Sequence, residues 1–167
     1  MAKQMRISIT TESDIESILN KLDGLRGETC SEARLTYGDE LNLHFGPMTP
    51  YEYSAVSHLK KGKWVLGTRE SEWELKSKNK VIVTSKDPVS EIENKIRSLQ
   101  HHKVEDIRIE FPDLILSIGF ESTKRLLIHS IGSDDSSEIS AWEVFTPKSM
   151  ILELWPDRTW SYQRSDN

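Results

Sequence analysis

The sequence predicts an α+β protein made of two tandem pseudo-symmetric repeats, each with a strand, a helix and about four antiparallel strands. Helices packed on antiparallel sheet would cover the apolar sheet face. Residues 7–25 align without gaps with residues 81–99, and each stretch reads as a short strand followed by an amphipathic helix. Hairpin patterns follow both stretches, and farther along Trp64 aligns with Trp142. A repeat of this size indicates duplicated architecture.

The first repeat, about residues 5–84, begins with an alternating apolar and polar stretch typical of a half-buried strand. Ser13 and Glu16 have the spacing of a capping box, which predicts a helix over 14–23. Alternation and turn residues then predict further strands. Those strands are 33–37, 41–45, 63–68, 72–75 and 81–84.

The second repeat, about residues 80–163, starts its helix at Asp87-Pro88, an N-cap residue followed by proline at the first helical position. The apolar spacing of Ile92, Ile96 and Leu99 continues one helical face. The whole chain, 1–167, is expected to be a single globular unit. The strands predicted in this half are 107–111, 114–120, 125–131, 139–145, 150–155 and 159–162.

Composition limits the classes of function. The chain has 167 residues, 36% of them hydrophobic and 29% charged, and a formal net charge of −5. An acidic balance repels phosphate and argues against a nucleic-acid partner. No apolar run reaches the roughly 20 residues of a membrane span. Cys30 is the single cysteine and allows no intrachain disulfide, so we expect a cytoplasmic protein.

Sequence motifs that would name a reaction or a cofactor are absent. There is no Gly-rich phosphate loop and no Gly-x-Ser-x-Gly nucleophile elbow. His101 and His102 are neighbours at a helix end and point apart, so they do not form a zinc pair. The sequence therefore predicts no cofactor and no metal, and it favours a non-catalytic role without excluding an enzyme.

The first hypothesis for function is a non-catalytic, acidic protein-binding module that occludes a basic partner. Features found in only one repeat are the candidates for function, and the unmatched tryptophans belong to them. In size and acidity the chain is in keeping with proteins that neutralise or regulate a partner, as immunity proteins and antitoxins do. The candidate partner-binding residues are Asp39, Glu40, His44, Trp73, Asp134, Asp135, Trp155 and Trp160.

Two alternatives stay open at this point. One is a small-molecule-binding protein or enzyme with its site in the cleft between the repeats, where His44, His58, Arg69 and His129 are the candidate residues. The other is a homodimer with a structural role.

Overall fold

The computed structural model describes residues 5–51, 59–69, 71–130 and 138–165. Within these ranges lie two α-helices, α1 (Glu12–Leu22) and α2 (Val89–Ile96), each followed by a short 3-10 turn. The strands are β1 (Ile7–Ser8), β2 (Cys30–Thr36), β3 (Glu40–Phe45), β4 (Thr49–Pro50), β5 (Lys60–Lys61), β6 (Trp64–Thr68), β7 (Trp73–Ser77), β8 (Lys80–Thr84), β9 (Val104–Glu110), β10 (Ile115–Phe120), β11 (Lys124–His129), β12 (Trp142–Phe145), β13 (Met150–Trp155) and β14 (Thr159–Arg164).

The predicted fold class is wrong. The protein is mostly β, with 49% strand and 17% helix, and it is not a stack of helices on one sheet. A seven-stranded sheet has the order β1-β14-β13-β12-β6-β3-β2, and a five-stranded sheet has the order β8-β7-β11-β10-β9. A two-stranded sheet joins β4 to β5. Side chains of both large sheets share one hydrophobic core, so sheet residues cover most of the apolar surface.

The two halves of the chain also exchange strands, which the tandem arrangement did not foresee. Strand β7 from the first half pairs with β11, and β12 from the second half pairs with β6. Segments 27–30 and 101–104 pair with each other around an antiparallel bridge. Nearby, the rings of Phe45 and Phe120 stack with centroids 6.4 Å apart. The halves are therefore joined through backbone pairing as well as through the core.

The alignment of Trp64 with Trp142 does not match the structure. The seven-stranded sheet contains the order β12-β6-β3, and the five-stranded sheet contains the order β7-β11-β10. Strand β6 therefore corresponds to β11, and β12 corresponds to β7. Trp142 lies opposite Thr68 on β6, and Trp73 lies opposite Ile128 on β11. Trp142 thus corresponds in position to Trp73. Trp64 and Trp142 are nevertheless both buried, with exposed fractions of 6% and 0%.

Each helix packs against the other half of the chain. Helix α1 contacts β9, and α2 contacts β2 as well as β8. The buried face of α1 is formed by Ile15, Ile18 and Leu22. The capping box is not the predicted one: Thr11 is the cap, and the Asp14 carboxylate accepts the Thr11 N–H at 2.9 Å. In the described part of the chain, no helix is long and apolar enough to cross a membrane.

Candidate functional site: the outer face of the seven-stranded sheet

The tryptophans proposed for partner binding lie inside the protein. The exposed fractions are 1% for Trp73, 2% for Trp155 and 6% for Trp160. Trp73 and Trp160 belong to the shared hydrophobic core, as large aromatic side chains usually do. Trp155 lies on the other face of β13, where the Arg6 guanidinium carbon is 4.0 Å from its ring centroid. They form no exposed aromatic patch. Asp134 and Asp135 lie outside the described residues.

Asp39, Glu40 and His44, also predicted to bind a partner, lie in and after one turn. Asp39 is exposed between β2 and β3, and its carbonyl oxygen accepts the Trp73 indole N–H at 2.8 Å. Glu40 begins β3 and is half-buried. His44 lies on the outer face of the same strand, yet its exposed fraction is 0%. A buried side chain at His44 offers no exposed surface to a partner.

The imidazole of His44 has both nitrogen atoms engaged. The Gly62 backbone N–H donates to Nδ1 at 2.9 Å, so Nε2 carries the proton and donates to Asn42 Oδ1 at 2.6 Å. Burial lowers the pKa of His44, and the nearby Arg34 charge lowers it further, against a smaller opposing effect of Glu32. His44 is therefore a neutral, positioned imidazole and a poor general base.

The residues proposed to line a ligand cleft do not come together. Arg69 follows β6 of the seven-stranded sheet, and its Nη1 lies 3.6 Å from Glu143 Oε1. His129 ends β11 of the five-stranded sheet, and its Nε2 lies 3.9 Å from Glu74 Oε1. These two contacts occupy corresponding positions in different sheets. His58 lies outside the described residues.

A row of four residues crosses the outer face of the seven-stranded sheet. Gly67 on β6 lies opposite Glu143 on β12, Glu143 lies opposite Glu153 on β13, and Glu153 lies opposite Ser161 on β14. Residues directly opposite each other in antiparallel strands share one face. We call Gly67, Glu143, Glu153 and Ser161 the Glu143 row. It places two glutamates directly opposite each other on adjacent strands, and neighbouring strands of a sheet are about 4.8 Å apart.

The Glu143 carboxylate is held in an unfavourable environment. Its side chain is only 18% exposed. Burial raises the pKa of Glu143, as do the nearby charges of Glu153 and Glu40, whereas Arg69 lowers it in part. Like charges directly opposite on two strands destabilise a sheet. Burial and the neighbouring carboxylates therefore disfavour the charged form of Glu143, and Arg69 favours it.

The two ends of the Glu143 row differ in chemistry. Ser161 is 1% exposed, and its hydroxyl oxygen has no hydrogen-bond partner. A buried hydroxyl without a partner is unfavourable. At the other end Gly67 has no side chain, and a Cβ there would lie 3.5 Å from Glu143 Oε1. The Glu143 carboxylate therefore lies over Gly67.

Apolar side chains flank the Glu143 row. Phe145, two residues beyond Glu143, is 36% exposed and lies opposite Ile151 and Val65. Beyond the Gly67 end of the Glu143 row, Asn42 on β3 lies opposite Gly67. The face thus combines carboxylates with an exposed aromatic ring, and aromatic residues are enriched at protein–protein interfaces.

The outer face of the five-stranded sheet carries a polar cluster that is already satisfied. Arg125 donates to both carboxylate oxygens of Asp106, at 2.8 and 3.1 Å, and to Ser117 at 2.7 Å. Hydrogen bonds from Arg125 lower the pKa of Asp106. Because the Arg125 guanidinium already donates to Asp106 and Ser117, this cluster is a weaker candidate for binding a ligand.

Sequence reasoning missed the Glu143 row because pairs of acids are common in so acidic a chain. A signal was nevertheless present. Both Glu143 and Glu153 are flanked by apolar residues in strands that the sequence predicted, joined by the turn at 146–148. A hairpin centred on that turn places the two carboxylates opposite each other. Only the register, and not the composition, distinguishes this pair.

Comparison with known proteins found no match, and neither a metal site nor an activated cysteine is present among the described residues. No protein-family model matches the sequence, and no curated protein or solved structure matches it. Among the described residues, no group of three or more histidine, cysteine, aspartate or glutamate side chains is arranged to hold a metal ion. Burial raises the pKa of the Cys30 thiol to about 12, so it is not an activated nucleophile.

Proposed function

We propose that this protein is a non-catalytic module that binds a basic partner protein through the outer face of its seven-stranded sheet. The observation that supports the proposal best is the Glu143 row. Two glutamates lie directly opposite each other there, and Glu143, whose side chain is 18% exposed, lies 3.6 Å from Arg69. A cation from a partner would relieve the repulsion between Glu143 and Glu153.

The surroundings of the row suit a docking surface. Phe145 offers exposed apolar area beside the two charges. Aromatic residues are enriched at protein interfaces, where their burial adds to charge complementarity. The formal net charge of −5 would steer a basic partner towards the chain before docking.

The state of the reactive side chains supports the non-catalytic part of the proposal. His44 has both ring nitrogens in hydrogen bonds, and the buried Cys30 thiol has a raised pKa. A general base or nucleophile needs a free reacting atom within reach of a substrate. Neither side chain meets that requirement.

The biological role that we propose is occlusion of the partner, in the manner of an immunity protein or an antitoxin, within the cytoplasm. Binding over the Glu143 row would place a basic surface of the partner against the sheet and exclude its natural ligand. The wide, flat form of a sheet face suits a steric blocker, which needs area more than depth.

The experiment is affinity capture from the native source with the whole protein as bait, followed by binding measurements with the purified partner. The variant is Glu143→Gln with Glu153→Gln, which removes two charges and keeps the side-chain shape. We expect a basic partner and at least tenfold weaker binding by the variant, since losing one side of a buried charge contact costs about 2–5 kcal/mol.

The matched control is Glu91→Gln with Glu93→Gln, which changes net charge equally on the exposed side of α2. We expect the control to bind the partner with nearly the affinity of the unmodified chain. Equal affinity of all three proteins for the partner would refute the assignment of the docking face. An acidic captured partner would refute the charge complementarity.

A further inference from the structure

The chain that follows each helix runs along the outer edge of a strand in the same way. After α1, the Gly27 N–H donates to the Val104 carbonyl at 2.8 Å, and the Val104 N–H donates to the Glu28 carbonyl at 2.9 Å. After α2, segment 101–102 makes the same pair of hydrogen bonds with Cys30, at 2.8 and 2.9 Å. Two matching junctions therefore lie at the edge strands β9 and β2.

One residue differs between the two junctions. Gln100 follows the 3-10 turn after α2, and its Oε1 accepts the Ala33 N–H on β2 at 3.1 Å. Arg26 follows the turn after α1 with nearly the same backbone conformation, φ −63° and ψ 128° against φ −64° and ψ 140° for Gln100. A guanidinium has donors but no acceptor. Arg26 therefore cannot make the hydrogen bond that Gln100 makes.

Ile107 on β9 is the counterpart of Ala33 on β2. Each strand has an irregular register near its start, and beyond it Ile107 lies opposite Ile118 as Ala33 lies opposite Leu43. Because Ile107 has the register of Ala33, its backbone N–H also points to the outer edge of its strand. In the described part of the chain, no atom outside the β9–β10 ladder accepts this N–H. The edge of β9 thus presents a donor without the acceptor that the edge of β2 receives.

A cavity of about 260 Å³ lies between α1 and β9, and both Arg26 and Ile107 line it. The helix and its turn add two carboxylates and one amide to the lining, from Glu16, Asp23 and Asn20. Among the described residues, none forms an ion pair or a hydrogen bond with the Arg26 guanidinium. The volume suits a small polar group better than a drug-sized ligand. The cavity therefore offers such a group donors on one side and acceptors on the other.

We propose that this cavity binds a primary carboxamide group, the group at the end of glutamine and asparagine side chains. The amide oxygen accepts from the Ile107 N–H and from Arg26, in the way that the Gln100 amide oxygen accepts an edge N–H in the matching junction. The amide nitrogen carries two N–H donors, for which the Glu16 and Asp23 carboxylates are acceptors. No residue of the Glu143 row lines the cavity, so the proposal stands without the proposed function.

Charged groups fit the cavity less well than a neutral amide. A carboxylate would accept from Arg26 and Ile107, but it would bring a third negative charge beside Glu16 and Asp23. An ammonium group has donors only, so it would leave the Ile107 N–H without an acceptor. A carboxamide carries a donor and an acceptor side by side and adds no charge.

The test is an NMR titration of the whole, isotopically labelled protein with N-acetylglutamine methylamide and, in a separate arm, N-acetylglutamate methylamide, which has nearly the same shape. We expect saturable shifts of the Ile107 amide signal with the glutamine probe and about tenfold weaker binding of the glutamate probe. Equal binding of the two probes would overturn the assignment to a carboxamide. A glutamine titration without saturable shifts at Ile107 would overturn the site.

A third arm with free L-glutamine distinguishes the two sources of such a group. Binding at least as tight as that of the peptide probe assigns the cavity to a free amino acid, whose ammonium group adds a charged contact with Glu16 or Asp23. Weaker binding than that of the peptide probe assigns it to a side chain of a partner protein.

The decisive variant is Arg26→Gln, which gives the first junction the residue that the second junction has. The introduced amide should itself accept the Ile107 N–H, so the glutamine probe should bind at least tenfold more weakly and hydrogen exchange of the Ile107 amide should slow. The control is Arg97→Gln on the turn after α2, which removes the same charge from another exposed position and should leave both measurements unchanged. Probe binding and Ile107 exchange that are unaffected by Arg26→Gln would contradict the proposal.

A second variant keeps the test decisive if Arg26→Gln alters the junction in another way. Arg26→Ala removes the guanidinium donors and supplies no amide, so it should weaken binding of the glutamine probe about tenfold and leave exchange of the Ile107 amide fast. Binding of the probe to Arg26→Ala with the affinity of the unmodified chain would remove Arg26 from the site and overturn the proposal.

Discussion

The buried imidazole of His44 makes the folded state sensitive to acid well above the range in which carboxylates titrate. Protonating Nδ1 would break its hydrogen bond from the Gly62 N–H and place a charge where the exposed fraction is 0%. The folded pKa of His44 is accordingly lowered from its ordinary value of 6.5. The perturbation that we choose is His44→Asn, whose amide oxygen takes the place of Nδ1 and does not titrate.

The sign and size of the effect follow from proton linkage. Between 6.5 and the lower folded pKa of His44, the unfolded state binds one proton more than the folded state. The free energy of unfolding of the unmodified chain therefore falls by about 1.4 kcal/mol per pH unit in that interval from this group. His44→Asn loses the donation to Asn42, which costs about 1 kcal/mol at neutral pH, and it lacks the acid-sensitive contribution.

The assay is urea unfolding of both proteins at pH 7.5, 6.5 and 5.5. We expect the unmodified chain to be the more stable at pH 7.5 and its advantage to shrink or reverse at pH 5.5. The control is His101→Asn, an exposed position with φ of 74°, which asparagine tolerates. A stability difference between His44→Asn and the unmodified chain that stays constant from pH 7.5 to 5.5 would refute this reasoning.

Three further predictions concern stability. Asp14→Ala should lower the free energy of unfolding at pH 7, because hydrogen bonds from Thr10 and Thr11 lower the folded pKa of Asp14 below its ordinary value of 3.8. This stabilisation is lost from the unmodified chain as the pH falls from 3.8 through the folded pKa, so stability should depend less on pH in the variant over that interval. Acid titration followed by circular dichroism measures both effects. Gly62→Ala should destabilise by about 1–3 kcal/mol in urea, since its Cβ would lie 2.8 Å from backbone atoms of Phe45, whereas Gly67→Ala, with its nearest contact at 3.5 Å, should change little. Trp142→Phe should lower thermal stability by about 1–3 kcal/mol through the cavity and the lost hydrogen bond to Ser130.

Local structure was predictable where one face of a segment is buried. Alternation predicted the hairpins that became β2–β3 and β9–β10, and the apolar stripe predicted α1 within two residues at its start. These features depend on near neighbours in the chain, which a periodic pattern records directly.

The pairing of distant strands was not predictable in this way. Periodicity shows that β7 and β12 are strands, but not that each crosses to the sheet of the other half. The fold class was wrong for the same reason, because sheet against sheet buries surface that the sequence analysis assigned to helices. Long-range pairing depends on the whole chain and leaves no local signature.

The candidate site could not be predicted either, because it depends on how the strands pair. The unmatched tryptophans drew attention because large aromatics serve both in interiors and at interfaces, and the structure places Trp73, Trp155 and Trp160 inside. Glu143 and Glu153 became distinctive only when the register of β12 and β13 set them opposite each other.

Carboxyl footprinting of the complex with the captured partner tests the central claim most directly. Carbodiimide coupling of an amine to exposed carboxylates, read by mass spectrometry, reports each glutamate separately. The account predicts that labelling of Glu143 and Glu153 falls when the partner binds, while labelling of Glu91 and Glu93 on α2 stays the same. Unchanged labelling of Glu143 and Glu153 in a saturated complex would contradict it.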